Sequence, residues 1–201
     1  NDKFIPITPE MRAIDAINPQ DSAFGKAREV GITTCITGPG SINLIGGTFA
    51  AIKTAGRTVE EMLIKHPVAM KAALGENPKF RYTEINKTPK SRMASASIIR
   101  KALFAAVNYG KKKENNEYNG KIVEKDLGLE DLLLVIHGKI PLKIHIHRSD
   151  DIMTAIRIAE EFGIRYTLDH CTEGYLITDY LLDALRKNCE GIIIGPLMIY
   201  Q

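Results

Sequence analysis

Lys143-Ile144-His145-Ile146-His147 and Leu168-Asp169-His170, whose histidine lies twenty-five residues after His145, are the segments that decide the fold. Each ends a short β-branched or aliphatic run. Between them Ile152, Ala155, Ile156, Ala159 and Phe162 recur at helical spacing, and Gly163 closes the helix. Strand, helix and strand with short connections predict a parallel sheet with right-handed crossovers. Successive strand side chains alternate faces, so His145 and His147 project the same way. The carboxyl ends of parallel neighbours lie side by side, which places His145 or His147 to converge with His170. Two converging imidazoles suit Zn²⁺ or a similar divalent ion. The plain alternative is three strand histidines with ordinary hydrogen bonds. What favours a site is their clustering at adjacent strand ends.

Working outward, the same reading gives five strands, at residues 32–37, 68–73, 140–147, 164–169 and 192–194, apolar on both faces and therefore buried under helices. Asp21-Ser22 cap a helix over 23–30. Thr58 and Glu61 have capping-box spacing and open a short helix through Lys65. Residues 91–109 form an amphipathic helix, 129–137 and 175–188 form two more, and Ser149 caps the helix that carries Asp150 and Asp151 in its first turn. Residues 38–47 read as a loop, and the polar stretch 110–120 as a surface excursion.

The length of 201 residues, with 44% hydrophobic and 25% charged residues, is that of one soluble globular domain. A net charge of +3 is too small to argue for nucleic acid, and Lys111-Lys112-Lys113 runs directly into Glu114, Asn115, Asn116 and Glu117 as a solvated stretch. With 6% aromatics and no Trp, a base-stacking surface is unsupported. No apolar run approaches the roughly 18 residues that span a bilayer. Cys35, Cys171 and Cys189 are odd in number and lack metal-type spacing, which with no secretory segment points to reduced thiols and the cytoplasm. The expected partners are a small-molecule substrate and further copies of the chain in a homo-oligomer, not nucleic acid or a membrane.

In parallel α/β barrels the reacting groups sit at strand carboxyl ends and in the loops just beyond. The candidates obey that placement. His145 and His170 are the residues assigned to metal, and His147 is a further ligand or a substrate contact. Glu76, after a glycine in a break, suits a carboxylate ligand or general base, with a loop-capping acid as its plainer role. Lys71, inside a strand, suits a carboxylated, metal-bridging lysine if it faces a barrel interior, and a surface lysine if it does not. Gly38-Pro39-Gly40-Ser41 offers backbone amides for a phosphate or carboxylate, though it matches no dinucleotide or phosphate-loop fingerprint. Cys171 reads as a small buried residue.

Four segments carry a family resemblance. They are Ala27-Arg28-Glu29-Val30-Gly31-Ile32-Thr33-Thr34 leading into Thr37-Gly38-Pro39-Gly40-Ser41; Met70-Lys71-Ala72-Ala73-Leu74-Gly75-Glu76-Asn77-Pro78-Lys79; Pro141-Leu142-Lys143-Ile144-His145-Ile146-His147-Arg148; and Leu168-Asp169-His170-Cys171-Thr172-Glu173-Gly174. Through them the chain resembles the amidohydrolase superfamily, and within it the imidazolonepropionase-like amidohydrolases. The resemblance implies a (β/α)₈ TIM-barrel metallo-dependent hydrolase, here a partial barrel of about five parallel strands with flanking helices. It implies hydrolysis of amides, cyclic amides included, at a mono- or binuclear site for Zn, Mn, Fe or Co. On it, His145 is the ligand from the fifth barrel strand and His170 the ligand from the sixth.

The family's first-strand His-X-His and last-strand catalytic Asp have no counterpart between Asn1 and Gln201. Residues 1–201 are therefore expected to be the central part of one barrel domain, inactive alone. Imidazolonepropionases carry an acidic or amide residue two or three positions after the fifth-strand His, where this chain has His147 and Arg148. Arg148 suits a substrate with a carboxylate. Two other readings stay open. One is a metal-free barrel enzyme or binder that holds a phosphate or carboxylate at residues 38–41. The other is a non-catalytic barrel remnant.

Overall fold

The computed structural model describes residues 4–118 and 122–195. After a 3₁₀ turn, Ala13–Asp15, the chain forms α1 (Ser22–Glu29), β1 (Thr34–Thr37), β2 (Ile45–Lys53), α2 (Val59–Met62) and β3 (Leu63–Ala73). Then come α3 (Glu76–Glu84), α4 (Arg92–Tyr118), α5 (Leu127–Ile136), β4 (Leu142–Ile146), α6 (Ser149–Phe162) and β5 (Tyr166–His170). A second 3₁₀ turn (Gly174–Ile177), α7 (Thr178–Leu185) and β6 (Cys189–Ile193) complete the described chain.

The six strands lie in one curled half-barrel sheet in chain order. β3, β4, β5 and β6 are mutually parallel, as expected for this half of the chain, but β1–β2 and β2–β3 are antiparallel. The five expected strands are present and run the same way, and the sheet holds a sixth, β2, which runs against them and was missed. Gly46-Gly47 reads as loop, yet both residues belong to β2, where the register with β3 shifts. Gly47 has φ +104°, and a Cβ there would collide with the carbonyl of Met11, which accepts a hydrogen bond from Thr48 N–H at 2.8 Å. The glycine is required because the N-terminal segment crosses the strand at that point. Because β2 reverses twice, β1 runs with β3, and the ends of β1, β3, β4 and β5 that precede the candidate residues share one rim.

Register divides the sheet into two faces. Met70, Leu142 and Tyr166 form one row, and Ala72, Ile144 and Leu168 the next. All are buried in a core completed by Ile99 and Leu103 of α4, Leu132 and Val135 of α5, and Ile152, Ala155 and Ile156 of α6. Lys71, Lys143 and Thr167, then Ala73, His145 and Asp169, make the rows of the opposite face. The sheet is therefore not apolar on both sides. Helices cover one face, and the other carries charge.

Local departures have local causes. Half of the capping box at Thr58 forms, Glu61 N–H donating to Thr58 Oγ1 while the Glu61 carboxylate accepts from Arg57 N–H, and α2 stops at Met62 because Leu63 and Lys65 already pair with β2. The polar stretch expected as an excursion continues α4 to Tyr118. Its lysines are good helix formers, and Lys113 reaches Glu130 of α5 at 2.6 Å. Residues 119–120 of that stretch, and the strand-like end at Tyr200-Gln201, lie outside the described residues. Ser149 is not the cap of α6. Its N–H and hydroxyl both donate to Glu173 Oε2, at 2.8 and 3.1 Å, and Arg148 occupies the cap position.

Gly75 joins β3 to α3 with φ +89°, and a Cβ there would lie 2.9 Å from Asp151 Oδ2. Gly75→Ala is expected to lower stability by about 1–3 kcal/mol through backbone strain, before any displacement of Asp151. Gly191→Ala, where nothing lies within 4 Å of an added Cβ, serves as the control. Urea midpoints of the two variants check this, and equal midpoints would contradict it.

Candidate active site

The charged face is built by period two. β4 sets Lys143 and His145 on it, with His147 just beyond the strand, and β5 adds Thr167 and Asp169. His170 pairs in register with Ile146, a residue of the helix-covered face. An unbroken strand would turn it away from His145. Instead His170 has φ +72° and Cys171 φ +46°, a left-handed pair that swings the ring back. Non-glycine residues enter this region at about 1–2 kcal/mol each. Here the turn is stitched to the one after β4, since Cys171 N–H donates to Ile146 O and Glu173 N–H to His147 O, both at 2.9 Å.

The result is three clustered imidazoles. Ring centroids are 4.5 Å apart for His145 and His170, 4.7 Å for His145 and His147, and 5.0 Å for His147 and His170. His145 is 6% exposed. Burial, reinforced by the charges of Lys71, His170 and His147, lowers its pKa to about 3, so the ring is neutral at neutral pH. Burial likewise lowers the pKa of His147, whose Nδ1 is hydrogen-bonded to Thr172 Oγ1 at 2.8 Å. His145 Nε2 meets Asn77 Nδ2 at 2.9 Å. The Nδ1 atoms of His145 and His170 and the hydroxyl of Thr167 are buried without a hydrogen-bond partner. An orphaned buried polar atom costs about 1–3 kcal/mol, and three on one face call for a ligand.

Lys71 lies beside this cluster and is buried at 4% exposure, which decides for the interior over the surface. Burial lowers its amine pKa to about 8, with Asp169 opposing the shift and Lys143 adding to it. Lys143 Nζ lies 2.5 Å from Asp169 Oδ1. The two lysine amines share the Phe49 ring, at 5.9 and 6.0 Å from its centroid. Gly38 packs directly against that ring, and a Cβ on Gly46 would come within 3.5 Å of Lys71 Cγ and 3.3 Å of Pro39 Cβ. The 38–47 segment therefore flanks Lys71. Gly38, Pro39 and Gly40 also line a cavity of about 510 Å³ with Met11, Arg12, Ile17 and Phe24, and none of the histidines reaches it.

The remaining candidates are engaged elsewhere. Glu76 opens α3 and binds Arg92 at 2.6 Å and Lys79 at 3.0 Å; these hydrogen bonds, Lys79 first, hold its carboxyl below the usual range. Its neighbour Asn77 is the residue that reaches His145. Arg148 pairs with Asp150 through two 3.0 Å hydrogen bonds. Ser41 is half-buried and Gly40 exposed. Cys171 is buried in the main core, and burial pushes its thiol up to about 11. Among the described residues no three His, Cys, Asp or Glu side chains are arranged to hold a metal ion. His145 and His170 instead bring two unpartnered ring nitrogens to one place, with Lys71 adjacent. The donor chemistry fits a divalent ion to that extent, because ligation needs neutral imidazoles with free nitrogens.

Sequence reasoning missed Asn77, Phe49 and the Lys143–Asp169 pair. The only signal for the pair was parity, which puts Lys143 on the face of His145. Lys143→Met strands Asp169 in a site where its side chain is 11% exposed, and a loss of about 3–5 kcal/mol is expected. Lys143→Met with Asp169→Leu should recover a large part of it. Denaturation of the single and double variants checks the coupling, and strictly additive losses would contradict it.

No family model matches the sequence. Among curated proteins the chain is similar to Amidohydrolase tasK of Hapsidospora irregularis, 26% identical over an alignment of 200 residues, with 87% of this chain and 20% of that protein covered. Among solved structures it is similar to the crystal structure of an amidohydrolase from Thermotoga maritima MSB8, with a TM-score of 0.94 and 41% identity over 100% of this chain and 51% of that one. The chain thus spans about half the length of the solved relative and a fifth of the curated one. With its half-barrel sheet and its histidine-bearing inner face, the chain is similar over its full length to an amidohydrolase of known structure.

Proposed function

We propose that the protein containing this chain is a metal-dependent amidohydrolase that cleaves the C–N bond of an amide, cyclic amides included, on the imidazolonepropionase-like branch of the superfamily. The observation that carries the reading is the pair of imidazoles of buried His145 and half-buried His170, 4.5 Å apart, each with a buried, unpartnered Nδ1. His145 and His170 would hold a divalent ion, zinc foremost, with Lys71 in its carboxylated form as a further ligand. Bound there, such an ion supplies Lewis acidity toward a carbonyl oxygen and acidity to a water. His147, fixed by Thr172, orients a substrate at the rim. Arg148 joins it for a carboxylate-bearing substrate once it exchanges Asp150 for that group. Gly40 and Ser41, in the loop after β1, would be further substrate contacts.

A second reading, a metal-free barrel that binds a phosphate or carboxylate at residues 38–41, is supported by the cavity beside that loop and by Arg12 in its wall. No helix among the described residues is long and apolar enough to cross a membrane. The free thiols of Cys35, Cys171 and Cys189 support a reducing, cytoplasmic setting.

Metal content and hydrolysis of the intact protein test the reading. Chelation is expected to abolish amide hydrolysis, and Zn²⁺, Mn²⁺ or Co²⁺ to restore it. His145→Ala and His170→Ala should each strip metal and activity, whereas His147→Ala should mainly raise KM. Full activity in metal-free protein would overturn the metal reading and favour the second one.

A further inference from the structure

The histidine cluster has one feature that the ligand reading does not use: a side-chain amide already holds one nitrogen of His145. We infer that Asn77 is the positioning residue of His145, and that its amide turns over when a cation binds, making Nδ1 the nitrogen that His145 presents. The inference rests on His145 being a ligand, as proposed above.

An imidazole with one nitrogen pinned offers only the other, and the pinning partner selects the tautomer. Asn77 Nδ2 faces His145 Nε2 at 2.9 Å, while Nδ1 is buried and unpartnered. An amide nitrogen can only donate, so in this arrangement Nε2 accepts and the ring proton sits on Nδ1. That state has no lone pair at the free nitrogen. A half-turn of the amide brings its oxygen to the ring, and the oxygen accepts from Nε2–H. The ring stays neutral, its single proton having moved from Nδ1 to Nε2 through solvent, and Nδ1 gains the lone pair that a cation needs. The two nearly isosteric ends of one amide therefore serve an empty and a filled state.

The scaffold around Asn77 is built to hold its place. Leu74 N–H donates to the carbonyl of His145 itself at 3.1 Å, so Asn77 leaves the sheet three residues beyond a direct tether to its target. Gly75 makes the turn against Asp151. Arg92 then clamps the start of α3 through Glu76 at 2.6 Å and Asp151 at 3.0 Å. Buried Pro78 follows Asn77. Leu74 also anchors the segment in the hydrophobic core, and the turn, the Arg92 clamp and Pro78 fix where one amide meets one imidazole.

The test compares the intact wild-type protein with Asn77→Asp and Asn77→Leu. Imidazole ¹⁵N NMR of the metal-free proteins reads the tautomer, and competition with a chromophoric chelator reads Zn²⁺ affinity. Aspartate has only acceptor oxygens, so Asn77→Asp should place the proton on Nε2 without metal and keep wild-type affinity. Asn77→Leu should weaken Zn²⁺ binding about 10–100-fold, the usual effect of losing such an outer partner, with thermal unfolding unchanged. Affinity in Asn77→Leu equal to wild type, or in Asn77→Asp as weak as in Asn77→Leu, would overturn the inference. Should the wild type bind no Zn²⁺, the metal reading fails on its own, and the tautomer comparison still decides Asn77: identical ¹⁵N patterns in all three proteins overturn it.

Discussion

The ion pair between Lys143 and Asp169 is the interaction around which the charged face of the sheet is arranged. A curled parallel sheet covered by helices on one side must turn its other side inward, and here that side carries Lys71, Lys143, His145 and Asp169. A single buried carboxylate or ammonium is very unfavourable, and pairing removes most of that penalty without adding much net stability over an apolar filling. What the pair contributes is arrangement. It ties β4 to β5 across the inner face, where the Lys71 and Lys143 amines lie 5.9 and 6.0 Å from the centroid of the Phe49 ring. Among the described residues Lys71 is then a buried amine with no carboxylate at hydrogen-bond distance, and burial, with the charge of Lys143 adding to it and Asp169 opposing, depresses its pKa.

The histidine cluster depends on a different device, two left-handed residues at the end of β5. Period two would have set Asp169, not His170, beside His145, and it does so in the register. The inward return of His170 is local strain held by backbone hydrogen bonds to the turn after β4. Strain of this kind, at a point where three imidazoles meet, is the usual mark of a site whose geometry is set by its ligand.

Much of this was legible in the order of residues. The β–α–β alternation from Leu142 to Ile193 follows from apolar periodicity and well-placed glycines, and the strand-end position of His145 follows with it. The convergence of His145 and His170 was reached as well, but through adjacent strand ends and without the backbone reversal that produces it, because a φ sign leaves no trace in a dipeptide such as His-Cys. β2 was hidden by Gly46-Gly47, which signal a loop until the crossing of Met11 explains them. The burial of Lys71 was undecidable because a lysine in a strand has the same sequence signature on either face. Asn77 was invisible for a further reason: its importance lies in a contact across 68 residues of chain.

X-ray absorption at the zinc edge of the zinc-loaded intact protein tests the central claim most directly, because it counts imidazoles without reference to substrate. The wild-type spectrum is expected to show imidazole scattering with Zn–N distances of about 2.0–2.1 Å, and His145→Ala and His170→Ala to retain no stoichiometric zinc with that signature. A zinc shell with no imidazole contribution, or a spectrum unchanged by both substitutions, would contradict it.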